Sequence, residues 1–119
     1  MIALSNSAHI YARPASKERL VCCFTDILGC ESLISPDAAG LPVPVLAFRF
    51  SNGGALSVEF TEDALDEQQA RWGAWLEIKA DDPAVLQQKV REAGLPLLKH
   101  PGNDHFYFAA PGGQVLRIV

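Results

Sequence analysis

Two stretches of this chain run in step: "HIYARPASKERLVCCFTDILG" from His9 and "WLEIKADDPAVLQQKVREAG" from Trp75, with a single-residue slip near the end. Each reads as a strand followed by a helix. In the first, Leu20, Phe24, Ile27 and Leu28 keep the three-and-four spacing of one helix face, after Pro14 and Ser16 and before Gly29. In the second, Leu86, Val90 and Ala93 take the matching positions; Asp81 or Asp82 caps the start, Pro83 fits the first turn and Gly94 the end. The repeat continues, since "FRFSNGGALSVEF" lies beside "FYFAAPGGQVLRIV", each a strand, a Gly-Gly turn and a strand. Between helix and hairpin stand "CESLISP" and "LPLLKHP", short apolar runs ended by proline. The pattern predicts an α+β chain of two βαβββ modules, a duplication and not a solenoid. Module one covers about residues 1–61 and module two about 73–119 of a single domain. The acidic stretch at about 62–72 reads as a solvated linker with room for a short helix.

Composition narrows the function classes. No apolar run approaches the roughly 20 residues of a membrane span, and "MIALSNSAHI" lacks the basic start and long apolar stretch of a secretory leader, so a cytoplasmic protein without a membrane partner is expected. A net charge of −4 argues against nucleic acid. Cys22, Cys23 and Cys30 are odd in number and show no CxxC spacing, so no disulfide is expected; Cys22 and Cys23 sit in an apolar helical pattern as small hydrophobes.

One amphipathic helix per four strands covers one sheet face and leaves the other open, and the open faces of two such modules can enclose a cavity. Alternation sends Ile10, Ala12, Leu56, Val58 and Phe60, then Leu76, Ile78, Ala80, Leu116 and Ile118, to the covered faces. The open faces then carry His9, Tyr11, Arg13, Ser57 and Glu59, and Trp75, Glu77, Lys79 and Arg117. The hairpin correspondence matches Arg49 with Tyr107 and adds Arg49, His105 and Tyr107, with Phe48, Phe50, Phe106 and Phe108 in the core. The repeat makes His9 the equivalent of Trp75, and Glu59 the equivalent of Arg117.

The duplication, with "AHIYARP…CCFTDILGCE", "SVEF" and "FYFAAPGGQVLRIV", resembles the vicinal oxygen chelate superfamily of glyoxalase I, extradiol dioxygenases, fosfomycin resistance enzymes and bleomycin resistance proteins. The resemblance covers nearly the whole chain and implies the glyoxalase-like fold, while one scaffold of this kind hosts many activities. For metal-dependent members it implies a divalent ion held from the first, fourth, fifth and eighth strands. Those positions are His9 and Glu59, which match the usual ligands, and Trp75 and Arg117, which do not. An indole offers only an N–H donor, and a guanidinium is a permanent cation. His9 and Glu59 alone bind a metal weakly, and a site would need His105 or Glu77 to move in.

The resulting expectation is a metal-free, cofactor-free binder that sequesters a small organic molecule, after the bleomycin resistance type. Trp75, Tyr11 and Tyr107 would wall the ligand, and Arg117, Arg49, Glu59, His9 and His105 would line it with polar groups. Arg117 is expected to pair with Glu59 across the cavity in place of the ion, or else to form a rim ion pair; His9 has an alternative role as a hydrogen-bonded structural histidine. The resemblance also implies a homodimer, with Trp72 as a module-docking or dimer residue. Two competing readings stand beside this one: a metal-dependent lyase or dioxygenase-like enzyme on His9 and Glu59, and an interaction module whose own aromatics fill its cavity.

Overall fold

The computed structural model describes residues 1–34 and 45–119, which divide into two compact units, Met1–Ala64 and Leu65–Val119. Pro36, expected to end the first short apolar run, lies outside the described residues. The first unit holds β1 (Ser7–Ala12), α1 (Lys17–Cys22), β2 (Glu31–Ile34), β3 (Val45–Arg49) and β4 (Ala55–Phe60); the second holds α2 (Glu67–Ala70), β5 (Trp75–Ile78), α3 (Pro83–Glu92), β6 (Leu97–Leu98), β7 (Phe106–Ala109) and β8 (Val115–Ile118). Their sheets share one topology, β1-β4-β3-β2 and β5-β8-β7-β6, with the outer pairs β1–β4 and β5–β8 parallel. This is the α+β architecture of paired βαβββ modules that the repeat predicts.

In the first unit a 3-10 turn at Pro14–Ser16, where the fixed φ of proline suits a first turn, leads into α1. Leu20, Cys23 and Phe24 are buried, as are Phe48, Leu56, Val58 and Phe60 of the sheet, and the Phe24 and Phe48 rings stack with centroids 5.0 Å apart. The predicted single helix does not run on to Gly29 as an α-helix. Its last stretch, Cys23–Ile27, is a π turn, with the Leu28 N–H donating to the Cys23 carbonyl. Here the slip in the repeat finds its physical form. Gly29 follows Phe24 by five positions where Gly94 follows Val90 by four, and a wider turn absorbs the extra one.

In the second unit Asp82 caps α3, its carboxylate accepting from the Val85 N–H at 3.2 Å, with Pro83 in the first turn. Val90 is fully buried on this helix, which packs against β8, and Phe108, Leu116 and Ile118 of the sheet are buried as well. The acidic stretch before β5 folds as α2 behind a capping box: Asp66 Oδ1 accepts from the Gln69 N–H and the Asp66 N–H donates to Gln69 Oε1. This short helix lies against the turn of the β7–β8 hairpin. A Cβ placed on Gly113 would stand 2.6 Å from the Glu67 carbonyl oxygen and 2.7 Å from Ala70 Cβ, at a φ of +99° that side chains rarely adopt. Alongside, the Gly112 N–H donates to Glu67 Oε1.

Strand register corrects one sequence correspondence. His9 pairs with Ser57 as Trp75 pairs with Val115, and Tyr11 with Glu59 as Glu77 with Arg117, so the equivalences of His9 with Trp75 and of Glu59 with Arg117 hold. Arg49, however, stands opposite Ala55, whereas Tyr107 stands opposite Arg117. The counterpart of Tyr107 is therefore Val45, the partner of Glu59. The cause lies in strand length, because β4 runs four residues from the turn glycine Gly53 to the level of His9 while β8 runs two from Gly113 to the level of Trp75. No helix among the described residues is long and apolar enough to cross a membrane, and Cys22, Cys23 and Cys30 are free thiols.

Candidate functional site

Laterally paired residues of neighbouring strands share a face, so the register groups the open-face side chains in rows. In the first unit one row joins His9 and Ser57, and the next joins Tyr11 and Glu59. His9 Nδ1 lies 2.6 Å from Ser57 Oγ, and Nε2 lies 3.3 Å from Glu59 Oε1. A carboxylate only accepts, so Nε2 carries a proton; in the neutral ring Nδ1 then accepts from the Ser57 hydroxyl, whose other acceptor, the Ala8 carbonyl, is distant at 3.5 Å. The Tyr11 ring meets His9 edge-on at 5.0 Å and is 56% exposed. Arg49 is exposed one row beyond His9, toward the hairpin turn. Arg13 turns to structure, its Nε donating to the Ala64 carbonyl at 2.9 Å.

On the second unit's open face Glu77, Arg117 and Tyr107 form one row, with Trp75 in the next. Arg117 Nε is buried and lies 3.5 Å from Glu77 Oε1, an ion pair whose geometry leaves this N–H without a hydrogen-bond acceptor among the described residues. Arg117 Cζ stands 6.0 Å over the Tyr107 ring. Trp75 meets Tyr107 edge-on at 5.5 Å and His100 edge-on at 5.6 Å, while His100 and Tyr107 stack at 5.9 Å. Asn103 Nδ2 donates to the Tyr107 hydroxyl at 3.2 Å, and the Gly102 N–H donates to His100 Nδ1 at 3.0 Å. Tyr107 is buried in this corner, and Trp75 stays 44% exposed.

Inside its own unit each of these charges has a partner: Glu77 for Arg117 and His9 for Glu59. Cross-strand register places Glu77 directly beside Arg117 and sets Glu59 one row along from His9 on the neighbouring strand. His105 is exposed just before β7, and its backbone N–H donates to Asn103 Oδ1. His100 and Asn103 are absent from the sequence-derived set. The available signal was alternation carried past β6, since His100 follows Leu98 by two positions and Leu98 is the register partner of Tyr107.

Among the described residues no three His, Cys, Asp or Glu side chains converge, and the strand positions equivalent to His9 and Glu59 present an indole and a guanidinium.

No family model and no curated relative matches the chain. Solved structures do. A point mutant of the genomically encoded fosfomycin resistance protein FosX from Listeria monocytogenes, complexed with Mn(II) and 1S,2S-dihydroxypropylphosphonic acid, superposes with a TM-score of 0.70 at 13% identity, covering 99% of this chain and 92% of that one. A glyoxalase family protein from Bacillus anthracis gives 0.74 at 12% identity, covering 99% and 94%. FosX from Mesorhizobium loti gives 0.69 at 15% identity, covering 99% and 91%. This chain thus has the fold of the vicinal oxygen chelate superfamily, to which the FosX and glyoxalase proteins belong.

Proposed function

We propose that this chain binds a small organic molecule on its open sheet faces without a divalent metal and acts in the cytoplasm by sequestering it. The observation that carries the reading is the register equivalence of His9 with Trp75 and of Glu59 with Arg117, which sets an aromatic surface and a fixed cation where further ligating groups would stand. Trp75 and Tyr11 expose ring surface to a ligand, buried Tyr107 supports Trp75, and Arg117, Glu59 and His9 supply orientation, with Arg49 and His105 farther out. The FosX neighbour complexed with 1S,2S-dihydroxypropylphosphonic acid supports small-molecule binding on this fold. A homodimer is part of the proposal. The test is elemental analysis of protein purified without chelator, together with a metabolite library followed by tryptophan emission. Substoichiometric metal with saturable ligand binding is expected; a silent library overturns the reading.

A second reading, a metal-dependent enzyme, is favoured by the 3.3 Å approach of His9 Nε2 to Glu59 Oε1 and by the Mn(II) complex of the FosX neighbour. Near-stoichiometric zinc, nickel, manganese or iron in the purified protein would select it.

A further inference from the structure

Arg117 is held in an unusual state for a strand arginine. Its Nε is buried and lacks a hydrogen-bond acceptor among the described residues, and its ion pair with Glu77 runs through that same nitrogen at 3.5 Å. Glu77 is itself 54% exposed and bound to Arg117 by charge without an aligned hydrogen bond. A buried guanidinium N–H in that condition gains from any planar oxyanion that can align with it, and a carboxylate matches the guanidinium fork.

Beside it lies a flat surface with fixed orientation. The Tyr107 ring contacts both Arg117 and Trp75, and His100 and Asn103 hold that ring by stacking and by a hydrogen bond to its hydroxyl. The indole of Trp75 is braced edge-on by two rings and still 44% exposed, so it meets a ligand as a rigid plate.

We infer that the open face of the second unit recognises a planar aromatic carboxylate, its acid group taken by Arg117 and its ring by Trp75. This rests on the ligand-binding reading and names the ligand class. Glu77 is then the incumbent that the carboxylate displaces.

The experiment titrates benzoate, 2-naphthoate and their primary amides into the protein by calorimetry, and by Trp75 emission in a Trp72→Phe background, since Trp72 is the other tryptophan and is exposed. The acids should bind about tenfold or more tighter than the amides, the worth of a charge-assisted hydrogen bond. Arg117→Gln should erase the acid preference and keep amide binding; Trp75→Leu should weaken acid and amide alike. Glu77→Gln, a surface change that leaves the fold intact, should tighten the acids severalfold and leave the amides unchanged, which a purely structural ion pair would not do. Equal binding of acids and amides, or acid affinity indifferent to Glu77→Gln, overturns the inference while ligand binding stands. If neither these compounds nor the metabolite library bind, both readings fall.

Discussion

Arg117 Nε sits 3.5 Å from Oε1 of Glu77, its register partner on the adjacent strand, without the alignment of a hydrogen bond. The equivalent row of the first sheet holds Tyr11 and Glu59, so the duplication has kept a place for charge on each open face and changed its sign. A pair this exposed on the acidic side contributes little to stability. Glu77→Ala should cost under about 1 kcal/mol in urea unfolding, with an unchanged slope; a larger loss would give the pair a structural role.

Two turn glycines separate backbone strain from crowding. Gly53 and Gly113 both have positive φ, but a Cβ on Gly53 meets nothing within 4 Å whereas one on Gly113 runs into Glu67 and Ala70. Gly53→Ala should cost about 1–2 kcal/mol. Gly113→Ala should cost about 2–4 kcal/mol, because α2 must also move. Chemical denaturation of both variants reads the difference.

The thiols make a pH prediction. Burial pushes Cys23 up from 9.0 to about 12 and Cys30 to about 11. A folded-state value above the unfolded one means that the contribution is in place below pH 9.0 and falls away as pH rises toward about 12. Unfolding free energy should therefore decline above pH 9.0, less so in Cys23→Ala relative to its own neutral-pH value. At pH near 8 a thiol reagent should reach only Cys22 before unfolding. Cys22 itself is raised by its hydrogen bond to Asp26 and by that carboxylate's charge, so Asp26→Asn should speed its labelling.

His9 offers a spectroscopic check. With Glu59 accepting from Nε2 and Ser57 donating to Nδ1, the neutral ring should be the Nε2–H tautomer in long-range ¹H–¹⁵N spectra. Ser57→Ala should shift the Nδ1 resonance and weaken that bias; a ring already in the other tautomer would contradict the hydrogen-bond assignment.

Much of this was legible in the sequence because it rests on short-range periodicity. A cap at Asp81 or Asp82, of which the structure uses Asp82, Leu20, Phe24 and Val90 as buried helix positions, and the alternation of Leu56, Val58 and Phe60 all follow from local spacing. Tyr107 was put on the correct face yet matched to Arg49, since both hairpins carry Gly-Gly turns but differ in how far their strands run before reaching the parallel partner. Glu77 as the partner of Arg117 depends on the register of β5 against β8, which side-chain pattern alone leaves free. His100 escaped because the alternation that points to it has to be carried past the two-residue β6, and Asn103 because it stands in the loop between β6 and β7.

In both units the first strand pairs in parallel with the last, β1 with β4 and β5 with β8. A nascent chain that has not yet emerged past Phe60 therefore carries a strand at Ser7–Ala12 whose mate is still to be translated. Loop closure across nearly the full length of a unit must precede the reward of that pairing, so each sheet is finished late, and its opening strand waits as an unzipped edge until synthesis catches up.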